Sequence, residues 1–256
     1  MLLFVFGFIG NAQLGKKLNT KQIGAIAKTV DALTLTDADL AKYIQEYVDW
    51  LDANNPICKV DDSDPGKKAY AERLSNMIAG IPEINDLKLD IKVYYVVEQN
   101  AFACANGSIR VFAGLMDIMS DDEILGVVGH EVGHIVNKDT KDAFRTALLM
   151  SALKDAVGST SGVAAALSDS QLGQLGEALA NAQFSQKQEY QADDYGYTFL
   201  KKNGKDPRGM ASALRVIQKL QDEAGGKAGK TAQLFSTHPE SGKRAGRLDE
   251  KYNKEN

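Results

Sequence analysis

The sequence predicts an α+β protein, predominantly helical, with a small sheet set beside one central helix. Three observations carry this. Apolar residues recur at helical spacing over most of the chain after residue 35, with cap signals at several starts. Two β-rich segments, "LKLDIKVYYVVEQ" (87–99) and "GSIRVFAG" (107–114), read as strands, with "ANG" (105–107) as a turn between extended segments. The 256 residues, 44% hydrophobic and 25% charged, are enough to bury one sizeable core. We therefore expect one main domain over 69–256, preceded by an N-terminal helical segment over 13–68.

The elements follow in order. "MLLFVFGFIGNA" (1–12) is too short to span a bilayer but fits the apolar region of a signal peptide without its leading basic residues, so it reads as a signal-peptide remnant and predicts export. "LTDADLAKYIQEYVDWLDANN" (35–55) sets Leu40, Ile44, Val48 and Leu51 at helical spacing after a Thr36 or Asp37 cap. "NNPICKVDDSDPGKK" (54–68) reads as a loop, and a helix over 66–80 places Tyr70, Leu74, Met77 and Ile78 on one side. "SDDE" (120–123) is a capping box opening a helix that runs to Val136. Residues 139–202 are mostly helical with a break at 158–162, and their longest uncharged run, 156–168, is too short and too rich in serine and glycine to cross a membrane. Asp206 and Pro207 open a helix that ends at the glycine pair 225–226, and a last helix runs from Ser241 to Tyr252. There is no internal repeat.

Net charge is −4 and no long basic run occurs, so nothing marks a nucleic-acid partner. The two cysteines, Cys58 and Cys104, are too few for a disulfide scaffold and are not spaced C-x-x-C. They read as buried thiols, or as one disulfide if the protein is exported.

Chemistry concentrates in "VVGHEVGHIV" (127–136). At about 100° per residue, His130 and His134 lie about 40° apart on one helical face, one turn above the other, where both imidazoles reach one metal ion. Glu131 stands beside them, placed to take a proton from water. An ordinary helix can carry such a pair, but this one is apolar on most sides and would not bury two histidines and a glutamate without partners. Gly129 and Gly133 leave room for a neighbouring backbone. A tetrahedral Zn2+ needs a third protein ligand. "QKQEYQADDYGY" (186–197) offers Glu189, with Asp193 one turn on to receive the second N–H of a ligating histidine; alone, such an acidic pair reads as a solvated face. His238 precedes Pro239, which favours an extended or turn geometry, and with Arg244 and Arg247 following it can donate to a developing oxyanion.

H-E-V-G-H at 130–134, E-Y-Q-A-D at 189–193 and S-T-H-P at 236–239 followed by Arg244 resemble the zinc peptidase family of HtpX and the CaaX prenyl proteases. The stretches 100–134 and 170–197 look like core segments of that family's small lipoprotein members of the bacterial cell envelope. The resemblance runs roughly from Ala69 to Leu248. It implies a gluzincin-type fold with 69–256 as catalytic domain, one zinc held by His130, His134 and Glu189, and Glu131 as general base and acid. It also implies an edge strand in 100–112 to which a polypeptide substrate adds as a further strand, with Asn100 and Ala101 at the cleft. His238 and Arg244 would line that cleft and stabilise the tetrahedral intermediate.

The chain departs from the family in having no lipobox cysteine near residue 1 and no long membrane-spanning segment, which favours a soluble or peripherally attached enzyme of the periplasm or envelope. Ser108 stands where an envelope relative has a strand cysteine. Cys104 has the same strand parity, so pairing with Cys58 stays open. The expected function is a zinc endopeptidase acting on unfolded or misfolded envelope proteins. The rival is a non-catalytic, zinc-containing, chaperone-like binding protein, against which Glu131 argues.

Overall fold

The helix that carries both histidines is the axis around which the other elements are arranged. The structure, a computed structural model, describes residues 36–156, 167–223 and 238–256, with backbone alone at 151–156. The expected signal segment at 1–12, the break at 158–162, the glycine pair at 225–226 and the first half of S-T-H-P lie outside the described residues. Those described fall in one compact unit, Leu35–Asn256.

Helix α1 (Asp37–Asn54) opens on a Thr36/Asp39 capping box, and α2 (Pro65–Ile78) on Asp64, whose carboxylate accepts the Gly66 and Lys67 amides with Pro65 at the first helical position. A short α3 (Pro82–Asp86), unforeseen from the sequence, leads into the sheet. Strand β1 (Asp90–Tyr94) is shorter than the expected 87–99, because its partner β3 (Ser108–Phe112) ends at the Tyr94–Phe112 pair. Beyond it the backbone turns away, the Tyr95 amide donating to Pro56 and the Val96 carbonyl accepting from Gly114. Strand β2 (Ala101–Ala103) returns antiparallel to β3, so the sheet order is β1-β3-β2 and β2 is an edge strand.

The helices α4 (Ala113–Met116), α5 (Asp121–Val136), α6 (Asp139–Ala156), α7 (Asp169–Ala180), α8 (Gln186–Lys202), α9 (Arg208–Glu223) and α10 (Ser241–Glu255) complete the described chain. The Ser120/Glu123 capping box of α5 is present as read. The 139–202 stretch breaks again at 181–185, where Ser185 restarts the chain as α8 with its own capping box on Gln188. None of the described helices is long and apolar enough to cross a membrane.

Two apolar clusters flank the sheet. Val93, Ala101, Ile109 and Val111 join α2, α5, α8, α9 and α10, whereas Phe102 and Cys104, on the other face of the pleat, join α1, α6 and α7. That division overturns the disulfide reading. Cys58 belongs to the first cluster and Cys104 to the second, and both are free, buried thiols. Burial pushes the pKa of both thiols up, to about 11 for Cys58 and about 12 for Cys104.

Glycines let α5 and α8 approach backbone to backbone. A Cβ added at Gly133 would sit 2.9 Å from Ala192 Cα, and one at Gly129 would sit 3.0 Å from Gly196 Cα. A Gly133→Val substitution therefore forces the helices apart. We expect a loss of about 1–3 kcal/mol in thermal or denaturant unfolding, together with a lower metal content.

On the sheet's far side, Arg110 is 1% exposed and grips Asp52 of α1 with Nε to Oδ1 at 2.8 Å and Nη2 to Oδ2 at 2.9 Å. Tyr94 Oη and Lys92 Nζ donate to the same carboxylate at 2.6 and 2.9 Å. Burial opposes the charge on Asp52, but these donors hold its pKa down at about 2. Being depressed, it contributes stability above its unfolded value near ~3.9, and that contribution is lost as pH falls through about 2. Asp52→Asn should cost about 1–2 kcal/mol at pH 7 in urea unfolding, solvent screening taking part of the full effect at this partly exposed carboxylate, and the deficit narrows as the titration is repeated between pH 5 and pH 2.

Candidate metal centre

Two consecutive turns of α5 place His130 and His134 on the side that α8 covers, and the glycine contacts bring the first turn of α8 against them. His130 Nε2 lies 3.1 Å from His134 Nε2 and 3.2 Å from His238 Nδ1, and Glu189 Oε1 lies 3.6 Å from His134 Nε2 and 2.9 Å from His238 Nδ1. One ligand atom from each of these four residues lies within 4.8 Å of all the others. Four donors about 2.0–2.1 Å from a tetrahedral zinc stand about 3.3 Å apart, and the observed spacings bracket that edge. Glu189 Oε2 is paired with the Arg244 guanidinium, which leaves Oε1 facing the imidazoles. Converging imidazole nitrogens and a buried carboxylate oxygen are what a cation would complete, so the residues fit a bound metal.

Each ring is fixed from behind. His130 Nδ1 faces Asp193 Oδ1 at 3.1 Å, the partnership expected for that acid, and His134 Nδ1 faces Asp139 Oδ2 at 2.9 Å. Asp139, Gln188 and Phe184 escaped the sequence reading. Gln188 Nε2 donates to the second oxygen of Asp139 at 2.8 Å, and the Phe184 ring stacks on His134 with centroids 4.1 Å apart. The only sequence signal was an acid five residues after the second histidine, just past the helix end.

Two placements differ from the reading. Arg244, expected in the cleft, is buried behind the histidines. Its Nε and Nη2 pair with both oxygens of Asp193 at 2.9 and 2.6 Å, and its Nη1 pairs with Glu189. His238 stands inside the donor set, its Nε2 3.7 Å from Glu131 Oε1. Asn100 is buried, its carbonyl accepting from the Phe112 amide, and Ala101 begins the edge strand.

The electrostatics follow from burial. Desolvation pushes His130 down to about 3 despite Asp193. Burial also opposes charge on His134, but Asp139 and Glu189 hold it up at about 9. Glu131 is raised chiefly by burial, against His238 and His134, and it accepts the Ala103 amide. Burial works against the charge on Glu189 as well, yet His238 and His134 keep it well below the ordinary carboxylate range.

Convergent histidine and carboxylate donors beside a buried glutamate that stands outside the donor set, next to an edge strand, define a metallopeptidase. The chain belongs to peptidase family M48, whose model matches residues 67–252. It is 38% identical to Metalloprotease LoiP of Escherichia coli over 220 residues, covering 86% of this chain and 82% of that one. It is 37% identical to Metalloprotease YcaL of the same organism over 216 residues, 84% and 80% of the two chains. A Protease HtpX homolog of Salinibacter ruber is 28% identical over 214 residues, 72% and 75%.

Glu189→Ala removes one donor from the cluster. Zn2+ affinity, read by competition with a chromophoric chelator, should fall by more than about a hundredfold, beyond the effect of losing an outer hydrogen-bond partner; undiminished affinity would remove Glu189 from the donor set.

Proposed function

We propose that the protein is a zinc endopeptidase in which His130, His134 and Glu189 hold the metal and Glu131 is the general base and acid. The observation that carries this is the convergence of those three donors with the Glu131 carboxylate buried beside them and left out of the donor set. Zn2+ bound there would polarise the scissile carbonyl and make water acidic enough to attack near neutral pH. Glu131 takes the proton of the attacking water and delivers it to the leaving amine. Its burial, which favours the protonated carboxyl, suits the second half of that task. Asp193 and Asp139 receive the outer ring N–H groups and keep the Nε2 lone pairs of both histidines turned inward. Catalysis needs one open position, so His238 has to leave the donor set when substrate enters, and its ring can then donate to the oxyanion. Arg244 acts through Asp193 and Glu189.

Strand β2 supports a peptide substrate. The Asn100 carbonyl and Cys104 amide bond to β3, so Ala101 and Ala103 turn their own amides and carbonyls away from β3, the Ala103 amide toward Glu131. An extended segment adding there lies along the helix that carries Glu131. An unfolded stretch offers an unpaired backbone along its whole length, which favours unfolded or misfolded polypeptides. The apolar run at 2–9 and the likeness to small envelope peptidases favour a periplasmic or envelope location, with peripheral membrane association.

Comparing wild type with Glu131→Gln tests the mechanism on zinc content and casein cleavage. Zinc should be retained while kcat drops roughly 10²–10⁴-fold; equal cleavage by both proteins would refute the role of Glu131.

A further inference from the structure

We propose that Gln188 and Asp139 are a positioning pair that locks the His134 ring to the helix carrying Glu189. This deepens the metal-centre reading above and rests on it.

The pair begins with a sharp reversal. Helix α5 ends at Val136, the Asn137 amide bonds back to Gly133 and the Lys138 amide to Ile135, and Lys138 takes a left-handed conformation at φ 66°. That one residue turns the chain so that Asp139, first residue of α6 and 6% exposed, faces back onto the imidazole one turn inside the helix just completed. One oxygen of Asp139 meets His134 Nδ1 at 2.9 Å and the other accepts from Gln188 Nε2 at 2.8 Å.

Gln188 is engaged at its other end too. Its Oε1 accepts from the Ser185 amide at 2.9 Å and the Ser185 hydroxyl at 2.7 Å, the capping box that starts α8. The amide can face only one way: flipped, its NH2 would meet the Ser185 donors and its carbonyl the Asp139 carboxylate. With Asp139 accepting on both oxygens, Nδ1 of His134 must carry the proton, which leaves Nε2 free to face the other donors. The next residue along α8 is Glu189. The Gln188 side chain therefore sets the first turn of α8 against the ring of the second histidine. A capping box accepts glutamate as readily as glutamine at this position, but glutamate has no donor for Asp139. The cap does not explain the glutamine; the contact with Asp139 does.

The order of donors and acceptors supplies the test. Asp139→Asn puts an amide donor against the donor of Gln188, and Gln188→Glu sets two carboxylates face to face. The double variant Asp139→Asn/Gln188→Glu restores the order, since the introduced asparagine accepts from His134 through its carbonyl and donates through its NH2 to the introduced glutamate, and it keeps the wild-type net charge. Zn2+ alone is titrated into the full chain against a chromophoric chelator at one pH, with His134→Ala as control. Each single variant should bind Zn2+ roughly 10–100-fold more weakly, and the double variant should recover most of that loss. Wild-type affinity in Gln188→Glu, or a double variant no better than the weaker single, overturns the pair while His134→Ala still loses zinc. Wild-type affinity in His134→Ala overturns the metal-centre reading itself.

Discussion

The close approach of α5 and α8 is the constraint on which the site depends. Two histidines one turn apart place two nitrogens, and the third donor must come from another helix at side-chain reach. Glu189 is a short side chain for that task. It succeeds because Gly129 and Gly133 meet Gly196 and Ala192 of α8 where a Cβ would collide with the backbone. The same contact seals the centre. His134, Glu189 and Asp193 are fully buried, and the apolar cluster continues from α5 into Phe199 and Leu200 of α8.

Sealing creates an electrostatic problem that the surrounding residues share out. Glu131, Glu189, Asp193 and Asp139 are all nearly inaccessible to water, and burying several carboxylates together is costly unless cations face them. Arg244 meets Asp193 and Glu189, and Asp193 also accepts from His130 Nδ1. The negative surplus on the other side draws a proton to His134, and the same surplus favours a divalent cation in its place. Arg244 is thus better understood as the counter-ion that lets Glu189 be buried and ionised than as a group lining a cleft.

In the proposed function the edge strand would tie recognition to chemistry. Because β2 pairs through Asn100, Phe102 and Cys104, its free edge is formed by Ala101 and Ala103, and the Ala103 amide already reaches Glu131. Under the proposed function, a peptide laid along that edge would be registered against the glutamate. Parity decides this, since a slip of one residue would turn those groups toward β3.

Much of this was legible in the amino-acid order. Ser120 with Glu123 fixed where the histidine helix begins, the 3.6-residue period put His130 and His134 on one face, and the i, i+4 spacing of Glu189 and Asp193 put both acids on the face of α8 turned toward the histidines. These features are local, and a helix converts spacing into geometry without help from the rest of the chain. What the sequence could not determine was set by contacts between distant segments. Nothing near Cys58 or Cys104 says that they face opposite sides of a sheet, because that follows from which strand pairs with which. Asp139 reaches His134 only because Lys138 reverses the chain, and Arg244 retreats behind His130 because α10 packs where Asp193 needs a cation. His238 enters the donor set from the far end of the chain, and only the folded protein brings it there.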